Sequence, residues 1–146
     1  MKFVTDCTAD LVTKVKSVPA LGQKTITVMS IDDLTTQLTS VAKPAAGILY
    51  EGARTIQDQG GKQIGVSGEI VFSILMLVET SVVSSKVDMR SPAHDMLDLV
   101  REAIHGTRGP TGHFWKWMLE APAAQKGSLQ VWVQRWSCPV QLPPSK

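Results

Sequence analysis

The chain has 146 residues, 43% of them hydrophobic, and a net charge of +2. This length suits one domain, which buries about two-thirds of its unfolded surface and needs no disulfide or metal to hold its core. Its 15 basic and 13 acidic residues form no basic run, so sequence-specific binding of nucleic acid is not expected.

The first predicted element is an amphipathic helix over residues 3–16. Its apolar positions recur at helical spacing at Phe3, Val4, Cys7, Leu11 and Val15. A strand is predicted next over residues 24–29, where apolar and threonine side chains alternate. Ser30 then has the character of an N-cap, with Asp33 in the capping-box position, so a short helix is expected through Leu38.

Two more strands are predicted on either side of a glycine-rich segment. Residues 46–51 form the first, and residues 66–80 form a long strand with apolar residues on both faces, which favours a central place in the sheet. The polar, glycine-rich residues 52–65 are predicted to be a mobile loop. The apolar run at residues 70–78 is about half the length that a membrane-spanning helix needs, so no membrane anchor is expected.

The third helix has the clearest local signals. Ser91 is predicted to cap it, Pro92 suits its first position and Gly106 lies just past its end. A hairpin is predicted after it, with strands over residues 114–119 and 128–138. The proline-rich residues 139–146 are predicted to form an extended tail.

The order of these elements does not alternate as in a doubly wound parallel sheet. We therefore expect one α+β domain over residues 1–146, with a mostly antiparallel or mixed sheet of about five strands. Two main helices would pack on one face of the sheet, beside one short extra helix.

Few residues point to chemistry. His94 and His105 share one helix face but lie about 16 Å apart at the standard helical rise, too far to share a metal ion. Asp32 and Asp33 are explained by a helix N-terminus. Cys7 and Cys138 are expected to be free, buried thiols. No catalytic, cofactor-binding or metal site is predicted, and the chain is not expected to be an enzyme.

The four tryptophans fall in the predicted hairpin. If it closed symmetrically about residues 123–124, Trp115 would lie opposite Trp132, and Val131 and Val133 would face the helices. The tryptophans either fill the core or form a subunit contact, because tryptophan is enriched at interface hot spots. The second alternative predicts that Trp136→Ala shifts an oligomer towards monomer and leaves the fold intact.

Several segments together resemble a known family. They are the opening helix, the stretch Ala46-Gly47-Ile48-Leu49-Tyr50 before the glycine-rich loop, the strand Ile70-Val71-Phe72-Ser73-Ile74, the helix segment from Met96 to Gly106, and the closing Leu129-Gln130-Val131-Trp132-Val133. In type and order they are similar to the tail terminator, or tail completion, proteins of long-tailed phages, of the kind found in Mu-like phages and prophages.

This resemblance implies a structural virion protein without catalytic residues. Such proteins form a ring, usually of six subunits, on the last ring of the tail tube, where they end polymerisation and present a surface for the head connector. The implied partners are further copies of the chain, the tail tube protein and a head–tail connector or stopper protein, with DNA passing through the ring. The implied location is the head-proximal end of the virion tail, after assembly in the host cytoplasm. The tryptophan-rich hairpin departs from the family pattern.

Two alternatives stay open at this stage, another head–tail joining protein such as a stopper or adaptor, and a small-ligand-binding domain or enzyme without a standard motif. If the chain is a virion assembly protein, the candidate interface residues are Arg54, Gln57, Asp58, Lys62, Asp98, Arg101, Glu102, Trp115, Trp132 and Trp136.

Overall fold

The computed structural model describes residues 2–38, 40–55, 66–79 and 92–142. The elements in chain order are α1 (Phe3–Lys16), a 3₁₀ turn (Pro19–Leu21), β1 (Thr25–Val28), α2 (Ile31–Leu38), β2 (Ala45–Thr55), β3 (Val66–Glu79), α3 (Pro92–Ile104), β4 (Lys116–Lys126) and β5 (Leu129–Leu142).

The five strands form one mixed sheet in the order β1-β2-β3-β5-β4. β1 and β2 are parallel, and the other neighbouring pairs are antiparallel. With three helices packed on this sheet, the fold is α+β, as the sequence predicts. The long β3 lies in the middle of the sheet, which confirms the interpretation drawn from its two apolar faces.

Helices α1 and α3 cover one face of the sheet, called here the α1/α3 face. Cys7, Leu11 and Val15 of α1 and Leu97, Val100 and Ile104 of α3 are buried in one cluster. Alternate residues of the sheet complete this cluster, among them Ile70, Phe72, Ile74, Met76, Trp136 and Cys138. This cluster forms the larger part of the core and joins both main helices to the central strands.

The short helix α2 packs on the opposite face, called here the α2 face. Leu34 and Leu38 are buried there against Leu75, Leu77 and Val131. Side chains alternate across a strand, so these odd-numbered positions of β3 and β5 turn away from α1 and α3. The expectation that Val131 and Val133 face the two main helices is therefore wrong, because both pack in the cluster on the α2 face.

Helix ends follow the predicted local signals. The backbone N–H of Asp33 donates to Ser30 Oγ at 3.0 Å, and the N–H of Met29 donates to Asp33 Oδ2 at 2.9 Å, which confirms the cap of α2. Gly106 follows α3 with a φ of +76°, a left-handed conformation that glycine adopts without a Cβ clash. The predicted cap Ser91 lies outside the described residues.

Three predicted strand ends are wrong, and in each case pairing with a neighbouring strand extends the strand. β4 continues to Lys126, which pairs with Leu129, rather than ending at residue 119. Residues 52–55 belong to β2, where Gly52 takes up a register shift opposite Val71. Residues 139–142 belong to β5 and pair with β3, beyond the point where β4 begins. The rest of the predicted loop and of the predicted tail lies outside the described residues.

The terminal hairpin turns at residues 127–128, with Gly127 at a φ of +59°. Its register pairs Trp117 with Trp136 and Pro122 with Trp132. The predicted pairing of Trp115 with Trp132 is therefore wrong. Two register shifts in β4, between Trp117 and Leu119 and between Pro122 and Ala124, interrupt the alternation on which that prediction depended.

Candidate functional site

Two of the candidate interface tryptophans are core residues. Trp136 has no exposed surface and Trp115 is 3% exposed. The Trp115 indole N–H donates to Asp10 Oδ2 at 2.8 Å, and its ring meets Phe72 edge-on at 5.9 Å between centroids. Trp132 is half-buried against the same cluster and lies edge-on to His94. For Trp115 and Trp136 the core-filling alternative holds, because neither offers surface to a partner.

A buried polar chain connects Trp136 to α3. The Trp136 indole N–H donates to Gln134 Oε1 at 2.8 Å. Gln134 Nε2 donates in turn to Glu120 Oε1 at 2.7 Å and to the carbonyl of Leu97 at 3.2 Å. Each polar group of the buried Gln134 side chain thus has a partner, which avoids the cost of an unsatisfied group in the core.

Arg101 lies at the end of this series of hydrogen bonds, between α3 and β4. Its guanidinium contacts both oxygens of Glu120, at 2.6 and 2.7 Å, and Asp98 Oδ1 at 2.8 Å. The hydrogen bonds to Glu120 and then Asp98 raise the pKa of Arg101 above its ordinary value. Arg101 also lies 5.3 Å from the ring centre of Trp117. Of the three candidates on α3, Asp98 and Arg101 are held in this network, and Glu102 is exposed.

The remaining candidate interface residues are distant in sequence from this network. Arg54 forms an ion pair with Glu69 on the neighbouring strand. On the same face Glu51 accepts from Ser73 Oγ at 2.7 Å and pairs with Arg135. Gln57, Asp58 and Lys62 lie outside the described residues. The structure therefore brings Asp98 and Arg101 together and leaves Arg54 in a separate cross-strand pair.

An exposed apolar patch on the edge strand was not among the candidates. Trp117, Met118 and Leu119, called here the β4 patch, are 51%, 40% and 40% exposed. A register shift places Met118 between the paired residues Trp117 and Leu119. Trp117 pairs with Trp136 on the α1/α3 face and Leu119 with Arg135 on the α2 face, so the patch spans both sides of the sheet edge. Phe114, just before the strand, is half exposed beneath the Arg108 guanidinium. The run Trp-Met-Leu is visible in the sequence, but its exposure depends on β4 being an edge strand.

The two cysteines meet inside the core. Cys7 of α1 and Cys138 of β5 are both free and fully buried, as predicted. A hydrogen bond from the Cys7 thiol lowers the pKa of Cys138 to about 7, and Thr111 Oγ1, 3.1 Å from the Cys138 sulfur, adds to this effect. The same contact raises the pKa of Cys7. Because both thiols are enclosed, this pair connects α1 to β5 without facing solvent.

A pocket of about 230 Å³ lies between α2 and the sheet. Its lining is mainly apolar, with Ile31, Leu77, Ala124, Leu129 and Val131, and includes Thr35 and Thr36. Ligand pockets generally span about 300–1,000 Å³ and hold several convergent polar groups. The volume and lining of this pocket therefore do not favour the small-ligand alternative.

Within the described ranges, no cluster of three or more His, Cys, Asp or Glu side chains is placed to hold a metal ion. Among the same residues, no helix is both long and apolar enough to cross a membrane. Comparisons of the sequence with protein-family models and with curated proteins find no match.

Proposed function

We propose that this protein is a structural virion protein that caps the phage tail tube as an oligomeric ring, ends tail polymerisation and presents a surface for head–tail joining. In this role it acts by binding, without catalysis, at the head-proximal end of the tail. Its partners are further copies of itself, the tail tube protein and a head–tail connector protein.

The β4 patch is the observation that carries this proposal. Its three neighbouring large apolar side chains are each at least 40% exposed, and the largest apolar patch on a protein surface is often an interaction site. Tryptophan and methionine are enriched in protein interfaces. The patch also borders Arg101, which two carboxylates hold in place, so an apolar surface lies beside fixed charges, as in an interface with a polar rim.

The order of the helices and strands also supports this proposal. The element order is the one on which the resemblance to tail terminators was based, with the opening helix, the long central strand, α3 and the closing strand in sequence. Because one fold can serve several functions, this agreement supports an assembly role only together with the exposed patch.

Electron microscopy of the purified protein mixed with tail tubes tests the proposal. The tubes should be assembled from the tube protein of the same genome. We expect additional density at one end of each tube, and tubes capped in this way should no longer elongate when more tube protein is added. Bare tube ends that continue to grow would contradict the proposal. Binding only to tubes that already carry another terminator would favour a stopper instead.

A further inference from the structure

In the part of the chain that the structure describes, β1 and β4 form the two edges of the sheet. Two register shifts and Pro122 interrupt β4, and such features protect an edge from pairing with another strand. A partner at this edge therefore meets the side chains of the β4 patch rather than extending the sheet.

At the opposite edge, one large apolar side chain among the described residues is strongly exposed. Met29 directly follows β1 and is 89% exposed, more than any other large apolar residue in the described parts of the chain. Its backbone is held in place, because its N–H donates to Asp33 Oδ2 and the next residue, Ser30, caps α2. The fold thus fixes the backbone at Met29 and leaves its side chain largely exposed.

Strand register places Met29 level with the β4 patch. Across the sheet, one row of paired residues consists of Val28, Leu49, Ser73, Arg135 and Leu119. The next row runs from Tyr50 through Phe72 and Trp136 to Trp117. Because β1 and β2 are parallel, Met29, the residue after Val28, comes at the level of Tyr50, the residue after Leu49. Met29 therefore lies at the height of the β4 patch, on the opposite edge.

These two surfaces cannot meet within one molecule. Five strands spaced about 4.8 Å apart separate the edges by about 19 Å. A second copy placed beside the first, in the direction across the strands, brings Met29 of one molecule to the β4 patch of the other. Such a contact joins two different surfaces, and an interface of this type forms a ring when the rotation between neighbouring copies closes.

Charges on the α2 face complement each other across the same contact. Asp33 lies beside Met29, and hydrogen bonds from Gln37 and from the Met29 N–H lower the pKa of this carboxyl, so it is ionised at neutral pH. At the other edge, the exposed Lys116 directly precedes the β4 patch and shares the α2 face with Ser137, its partner in the register. Nearby, Glu51 balances the charge of Arg135.

We propose that the protein assembles head to tail, with Met29 of one copy seated on the β4 patch of the next and Asp33 facing Lys116. This inference rests on the proposed function, because it names the subunit contact of the ring. Methionine is unbranched and adapts its shape, so it suits a contact with the tryptophan, methionine and leucine side chains of the patch.

The test uses one variant at each edge, Met29→Lys and Met118→Lys, studied by size-exclusion chromatography with light scattering. Each variant should be a monomer at concentrations where the wild type forms an oligomer. Mixed in equal amounts, the two should form a complex of two chains, because one intact contact is left between them. Leu99→Lys is the matched control, since Leu99 is 41% exposed on α3, close to the 40% of Met118, and this variant should assemble as the wild type does.

Lys116→Glu is a second variant of the β4 edge, at an exposed position, and should also be a monomer that pairs with Met29→Lys. If the edge variants assemble like the wild type, or if the mixture stays monomeric, the inference is overturned while the proposed ring is unaffected. A wild type that is a monomer at every concentration and leaves tube ends bare overturns both.

Discussion

Replacing Trp136 by alanine should destabilise the fold rather than dissociate an oligomer. Trp136 is fully buried, and removing a buried tryptophan side chain costs about 3–5 kcal/mol. The change also removes the donor to Gln134 Oε1, and a buried acceptor without a partner costs about 1–3 kcal/mol. Since domains are stable by about 5–15 kcal/mol, a loss of at least about 4 kcal/mol is a large fraction of the total.

Trp117→Ala is the matched control for this change. The two residues pair directly across β4 and β5 and their side chains share a sheet face, but Trp117 is 51% exposed. Its loss removes a surface contact with Arg101, and cation–π contacts of this kind contribute about 0.5–1 kcal/mol at exposed sites. The two variants thus compare the loss of a tryptophan at a buried position with the loss of one at an exposed position on the edge strand.

Urea unfolding followed by circular dichroism measures both effects. With a denaturant dependence of about 2 kcal/mol per molar urea, Trp136→Ala should lower the midpoint by about 2 M. Trp117→Ala should lower it by about 1 M, because only about half of its side chain is buried. Assembly also stabilises the folded state, so midpoints are compared at two protein concentrations. A Trp136→Ala protein that keeps the wild-type midpoint and loses only its oligomeric mass would refute this assignment of Trp136 to the core.

Three further changes test other parts of the fold. Gly47→Ala should destabilise by about 1–3 kcal/mol in urea unfolding, because the new Cβ would lie 2.6 Å from Leu34 Cδ1; an unchanged midpoint would mean that α2 packs elsewhere. Ser30→Ala should cost about 1 kcal/mol through loss of the α2 cap, and Ser30→Asp, which retains an acceptor, should restore most of it. Cys7→Ala should raise the pKa of Cys138 in an ultraviolet thiolate titration. The pKa of Cys138 is lowered from 9.0 to about 7 in the folded state, so its ionisation makes the fold more stable as pH rises from about 7 towards 9, and this contribution is lost as pH falls through about 7. The variant should flatten that rise, and an unchanged titration would count against the contact.

Local signals predicted the helices well. The bounds of α1 coincide with its apolar periodicity, and α2 begins directly after the predicted cap Ser30. Gly106 follows α3 as its sequence position indicated. These features depend on residues within one or two turns of each other, so the sequence contains the information needed to predict them.

Strand ends and register depended on partners distant in sequence. β2 continues to Thr55 because β3 is long enough to pair with it, and Pro139 continues β5 because Glu69 lies opposite. The bulge at Met118 shifts the register of β4, and no local pattern marks it. For the same reason the sequence could not show which tryptophan is exposed, since that depends on β4 being the edge strand beyond β5.

The molar mass of the wild-type protein, followed by light scattering over a dilution series, tests the central claim of self-assembly most directly. One chain has a mass of 15.8 kDa. A closed ring of six predicts a discrete species of about 95 kDa that dissociates on dilution, without a ladder of ever larger forms. A constant mass of one chain at every concentration, with and without tail tubes, would contradict the account.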